Sequence, residues 1–219
     1  MASETLAVID FETTGLSPAQ GARATEIAAV LVRDGAIVAR YQSLMRSEAW
    51  VSPFIEQLTG ISNAMLRDAP AAEQVMAEVC DFVAGCGIVA HNASFDRGFW
   101  AAEAQRVGRW GDDAPAFACT VLLARRLYPE ARRFNLGALA GYFDLPSAGR
   151  AHRALADAEV TAQLVLRMQR DVERRYPEAV GERGVTHDFL LALQRSSRQD
   201  LTRSVARYCE AAGHRSVGA

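Results

Sequence analysis

The sequence predicts an α/β fold: a mixed sheet that begins as a three-stranded antiparallel meander, is extended by parallel strands, and carries helices on both faces. Three observations predict it. Three apolar segments open the chain with only turn residues between them. Short apolar runs then alternate with stretches of helical periodicity. At 219 residues the chain is long enough for one such domain and an appendage, but not for two large domains.

The elements follow in order. Leu6 to Phe11 (LAVIDF) is an apolar run of the buried-strand type, closed by the turn-forming stretch Thr13 to Pro18. Glu26 to Val32 and Ile37 to Leu44 are two further strands, joined at Asp34-Gly35, a dipeptide that tolerates the positive φ of a hairpin turn. Residues 53–59 and 71–84 carry helical spacing, with Pro70 near the start of the second segment. Ile88-Val89-Ala90 is short and wholly apolar, as an interior strand of a covered sheet should be. Ser94 is the candidate N-cap of the helix bearing Phe95, Asp96, Phe99 and Trp100. Ala116 to Cys119 is a last short strand, followed by helices at 120–127 and 135–143. From Arg153 a long helix runs through Leu164 and Met168 to Tyr176, where Pro177 stops it. A loop up to Gly184 then leads to one or two amphipathic helices over residues 186–210. The expected organisation is one domain over residues 1–176 and a helical C-terminal extension over 177–219.

Composition narrows the function classes. Half the residues are hydrophobic and 23% are charged, which is ordinary for a globular protein. The chain has no lysine, so arginine carries all of its fixed positive charge. The formal net charge of −2 argues against a protein that coats duplex DNA. It does not argue against one that meets phosphates through divalent ions. Cys80, Cys86, Cys119 and Cys209 form no CxxC pair, so neither zinc site nor disulfide framework is expected. MASETLAVID has no basic n-region with a long apolar core, and no apolar run approaches membrane-spanning length. The expectation is a soluble cytoplasmic protein without membrane contact.

Three weak signals carry the chemistry. Residues two apart on a strand share a face, so Asp10 and Glu12 project together while Ile9 and Phe11 point the other way. Two carboxylates at the end of an apolar strand repel each other and are costly to desolvate. A divalent cation removes that conflict, and hard oxygen ligands suit Mg²⁺ or Mn²⁺. Asp96 lies in the first turn of a helix directly after the strand 88–90, where the helix dipole alone would justify an acid. His152 and Asp157 are five apart and would not share a face of one helix, so they meet only if His152 lies in a loop and Asp157 in the first turns of the helix. The Pro146–Gly149 stretch supports such a loop. Taken singly, each acid has a structural explanation; their order and spacing together do not.

VIDFETTGLSP, AHNASFD and AHRALADA resemble the three motifs of the DEDD superfamily of 3′→5′ exonucleases. The histidine five before the last aspartate marks the branch that includes the proofreading epsilon subunit of bacterial DNA polymerase III and ribonuclease T. The sister branch has a tyrosine four before that aspartate, where this chain has Arg153. EIAAVLV, LTGIS, CTVLLARRLYP and NLGALAGYF match lesser signatures, and the resemblance covers roughly residues 5 to 170. It implies a ribonuclease-H-like fold and a two-metal hydrolysis that releases 5′-mononucleotides from a 3′ end. Asp10, Glu12, Asp96 and Asp157 would hold two divalent cations. His152 would be the general base, imidazole being the side chain that exchanges a proton near neutral pH.

Phe11, Thr13, Thr14, Ile61, Asn92 and Phe95 are the expected substrate-binding residues. Phe95 and Phe99, four apart on a helix, fit core packing at least as well. The expected partner is a single-stranded 3′ end of DNA or RNA, with a polymerase or a second copy of the chain as a further partner through the C-terminal extension. Two alternatives stand beside this: a ribonuclease of the same family that trims RNA 3′ ends, and a non-catalytic module attached to a polymerase.

Overall fold

The computed structural model describes residues 4–111, 114–146, 149–181, 184–197 and 201–216. Within the stretches expected to be loops, residues 147–148 and 182–183 lie outside the described residues, as do both extreme termini. A five-stranded mixed sheet is built from β1 (Leu6–Thr13), β2 (Ala24–Arg33), β3 (Ala36–Leu44), β4 (Gly87–Ala90) and β5 (Phe117–Cys119), in the order β3-β2-β1-β4-β5. β1 to β3 form the expected antiparallel meander, and β4 and β5 extend it in parallel. Asp34 and Gly35 take φ values of 52° and 74°, the doubly positive geometry of a tight hairpin turn.

Among the described residues there are ten α-helices: α1 (Pro53–Thr59), α2 (Asn63–Arg67), α3 (Ala72–Phe82), α4 (Ala93–Arg106), α5 (Thr120–Leu127), α6 (Leu136–Phe143), α7 (Ala154–Arg175), α8 (Pro177–Val180), α9 (His187–Arg195) and α10 (Leu201–Ser216). Strand alternation sorts the core into two layers. Leu6 and Val8 of β1 pack with Ala158, Ala162 and Val165 of α7. Ala7, Ile9 and Phe11 pack on the opposite face with Val75 and Val79 of α3 and with Phe99 and Trp100 of α4. The period of two in β1 meets the helical period of α7 on one side and of α3 and α4 on the other.

Several boundaries differ from expectation. Ser94 is not the N-cap of α4. Asn92 holds that place with φ 59° and no side-chain cap bond, because the chain reverses immediately after β4 and asparagine tolerates the left-handed region. α2 was not expected; Ser62 caps it by accepting the Met65 N–H at 3.1 Å. Pro177 does end α7, but the segment after it is not all loop. The proline opens α8, at a first-turn position where its missing N–H costs nothing.

The segment beyond residue 176 shares the main core. Val180, Val185, Phe189, Leu190, Leu193 and Val205 join the cluster on the α7 side of the sheet. Gln194 of α9 serves the edge strand β5: its Oε1 accepts the Cys119 N–H at 2.6 Å and its Nε2 donates to the Phe117 carbonyl at 3.1 Å. An edge that would otherwise offer free backbone groups is thereby closed. Cys80, Cys86 and Cys119 are free thiols. Among the described residues, no helix is long and apolar enough to cross a membrane.

Candidate active site

The site grows from a mismatch in strand length. β1 runs to Thr13, but its parallel neighbour β4 is paired only as far as Ile9↔Ala90. Beyond Ile9 the β4 side of β1 has no strand partner. The N-terminal turn of α4 fills the gap: Asp96, almost wholly buried, accepts the Phe11 N–H on Oδ1 at 3.2 Å. Asp96 thus stands in for a missing ladder partner, and that places it beside the two acids of β1.

On the other side β1 pairs with β2, with Glu12 opposite Glu26. α7 crosses this face and brings the third group. His152 lies just before the helix with φ 63°, and its backbone N–H donates to Asp157 Oδ2 at 3.0 Å. Asp157 is in the first turn of α7. This is the loop-then-helix arrangement that a spacing of five demands. One ligand atom from each of Glu12, His152 and Asp157 lies within 4.8 Å of the others.

Burial and mutual repulsion dominate the electrostatics. Asp10 is pushed well above the usual carboxylate range by burial first, then by Asp96, Asp157 and Glu12. Burial also lifts Glu12 to about 8; Asp157 and Glu26 push the same way, and Arg153 opposes them. Asp96 rises to about 7 through burial, against the N–H groups that bond it. Asp157 is raised by burial, with its bond from His152 opposing. Four converging carboxylates cannot all be anionic here without a compensating positive charge. The donor set is hard oxygen beside one imidazole, which fits divalent cations.

The carboxylates and His152 open into a cleft of about 570 Å³, walled by Thr13 to Leu16, by Phe54, Ile55 and Leu58 of α1, and by His91 and Phe95. A second cavity of about 530 Å³ adjoins it, sharing Phe54, Leu58 and His152. Thr13 and Thr14 line the cleft as expected, but their hydroxyls already serve the turn. Thr13 Oγ1 donates to the Gly15 carbonyl at 2.7 Å, and Thr14 Oγ1 accepts the Arg23 N–H at 3.0 Å. Phe95 borders the cleft, with its ring 4.9 Å from the fully buried Phe99.

Two expected substrate contacts, Ile61 and Asn92, take other places, and Phe11 lines the cleft with its ring turned into the core. The ring of Phe11 is buried against Phe99 and Trp100, so its backbone rather than its side chain serves the site. Ile61 is fully buried with Val51 and Leu66, because its apolar side chain completes the small core beneath α1 and α2. Asn92 closes the turn into α4 and is not among the residues that wall the cleft. The sequence reading missed Leu16, Phe54 and Leu58. Leu16 is 84% exposed and Phe54 70% exposed, both on the cleft wall. A leucine left bare in a polar turn and an apolar pair four apart on α1 were the available signals. His91 was missed as well; its Nδ1 lies 2.8 Å from Thr120 Oγ1, and burial lowers its pKa to about 4.

The five-stranded mixed sheet with its covering helices is a ribonuclease-H-like fold. The chain belongs to the exonuclease family, whose model matches residues 7–165. It is 38% identical over 168 residues to a PolC-type DNA polymerase III of Halalkalibacterium halodurans, a match over 77% of this chain and 12% of the relative. It is 35% identical over 191 residues to the 3′-5′ exonuclease DinG of Bacillus subtilis, covering 87% of this chain and 20% of that one. The chain therefore spans only a small part of these relatives' length. Among solved structures, Exonuclease X in complex with 5′ overhanging duplex DNA is 34% identical with a TM-score of 0.59, covering 75% of this chain and 91% of that one. More distant solved exonucleases share the fold.

Proposed function

We propose that this chain is a divalent-cation-dependent 3′→5′ exonuclease that hydrolyses terminal phosphodiesters of single-stranded DNA, or of RNA, to 5′-mononucleotides. The observation that carries it is the convergence of Asp10, Glu12, Asp96, Asp157 and His152 on one cleft where β1 outruns β4. The 3′ polarity draws support from the name of the DinG relative, and DNA as substrate from the polymerase and Exonuclease X relatives. Asp10, Glu12, Asp96 and Asp157 would hold two ions, Mg²⁺ or Mn²⁺. When bound, such ions supply Lewis acidity at the phosphate and stabilise charge on the leaving oxygen.

The chain's own residues do the rest. His152, within reach of Glu12 and Asp157, takes the proton of the attacking water, and its bonded backbone holds it at the cleft mouth. Leu16, Phe54, Leu58 and Phe95 give apolar walls against which a terminal base can lie without regard to its identity. Thr13 and Thr14 border the same space. The PolC-type relatives, which carry the matching segment within much longer polymerase chains, support a polymerase as a partner. Contact through the extension over 177–219, with a polymerase or with a second copy of this chain, belongs to the proposal. A cytoplasmic setting belongs to the same proposal.

The test is digestion of 5′-labelled single-stranded DNA and RNA with Mg²⁺, Mn²⁺ or EDTA. The expected result is a ladder shortening from the 3′ end with either ion and none in EDTA. Cleavage that persists in EDTA, or begins inside the strand, contradicts it.

A further inference from the structure

His152 occupies a backbone conformation that a histidine adopts only where its surroundings hold it, with φ at 63°. The residue that follows supplies the hold. Arg153 turns back onto β2, donating to Glu26 through Nε at 3.1 Å and through its terminal nitrogen at 2.6 Å. The same carboxylate accepts the Ala154 N–H at 3.0 Å and the Gln42 Nε2 at 2.8 Å. Glu26 is fully buried, so all four donors meet a charge with no access to water. Arg153 has no side-chain bond of its own to the start of α7; Glu26 serves that helix end from a neighbouring strand. Glu26 also faces Glu12 across the β1–β2 pair. One buried carboxylate on β2, the strand paired with the one bearing Glu12, thus holds the residues that link His152 to the first turn of α7, where Asp157 lies.

We infer that Glu26 and Arg153 form a positioning pair, touching no substrate, which sets the His152–Asp157 turn against Glu12 for proton transfer. Two fixed nitrogens on a planar fork define the direction of the backbone that follows, which a single ammonium defines less well. The kinetic part of this inference rests on the nuclease proposed above; the conformational part does not.

The test compares the unmodified chain with Arg153→Met, Arg153→Lys and the double variant Glu26→Gln/Arg153→Met. The double variant removes both charges, so it stays informative if the single change leaves Glu26 too costly to bury. Two quantities are read: kcat and KM on a 5′-labelled strand, and hydrogen exchange of the His152 amide in the metal-free protein. In the folded Met variants kcat falls about 10–100-fold with KM within about twofold, the range for outer partners of a metal site, and Arg153→Lys recovers part of the loss. The His152 amide exchanges at least about tenfold faster as its bond to Asp157 loosens. Unchanged kcat in a folded variant overturns the inference, as does a rise in KM alone, which would make Arg153 a substrate contact. If the unmodified chain hydrolyses nothing, the nuclease proposal fails, and the amide decides alone: faster exchange supports the pair, unchanged exchange overturns it.

Discussion

Asp10 stands where a carboxylate is little favoured, partly buried and faced by four other acids, Asp96, Asp157, Glu12 and Glu26, whose charges raise its pKa. Such a residue works against the stability of the metal-free fold. Asp10→Asn therefore has two expected effects: turnover falls at least about 100-fold, and the metal-free Tm at pH 8 rises by about 2–4 °C for each kcal/mol of repulsion relieved. A variant that keeps its rate, or melts lower in EDTA, contradicts the placement. The pH dependence has a definite sign. Glu12 moves from 4.5 to about 8 and Asp96 from 3.8 to about 7, so between those limits the folded chain holds more protons than the unfolded one. Stability without metal is then full below about pH 4 and lost as pH rises through 7 to 8, as far as these two groups decide it. Melts in EDTA should show a lower Tm at pH 8.5 than at pH 5.5, with Mg²⁺ raising Tm more at pH 8.5, where no protons need to leave. Equal stabilisation by Mg²⁺ at both pH values would contradict it. His152→Ala should cost about 10²–10⁴ in rate while cation titration is retained; an unchanged rate would remove the base.

Elements were legible where one local pattern decided them, and less so where packing did. The LAVIDF run, the Asp34-Gly35 hairpin and α7 each follow from periodicity or turn chemistry within a few residues. Asn92 replaced Ser94 as the start of α4 because the length of β4 sets where the chain must reverse, and that length is a property of the sheet. Ile61 moved from cleft to core because α2, a five-residue helix with little periodicity to detect, closes over it with Leu66. The seating of α9 on the sheet yields a prediction at this scale. A Cβ at Gly87 would lie 2.4 Å from the His187 side chain, whose Nε2 is 2.9 Å from the Ile88 carbonyl. Gly87→Ala should therefore destabilise the chain by about 1–3 kcal/mol through overpacking, read as a lower denaturant midpoint. His187→Gly in the same chain, which removes the Cβ at 2.4 Å as well as the ring, should recover part of it. A neutral Gly87→Ala would mean that α9 is not held there.

At the scale of the whole molecule, the five catalytic candidates were readable because motif order encodes topology: one strand end, one helix start and one loop-to-helix turn meet only in this sheet order. Of the apolar wall only Phe95 was read; Leu16, Phe54 and Leu58 stand out singly in the sequence, but become neighbours of the acids only through the fold. The extension beyond residue 176 could be read as helical but not where it packs. Its burial in the α7-side core makes it part of the stability of the nuclease fold, whatever partner it meets. The most direct measurement of the central claim is digestion of one 5′-labelled strand, linear or closed into a circle, in Mg²⁺ by the unmodified chain and by Asp157→Asn. Stepwise shortening of the linear strand, an intact circle and a silent variant are the predicted result. A nicked circle, or a variant as fast as the unmodified chain, would contradict it.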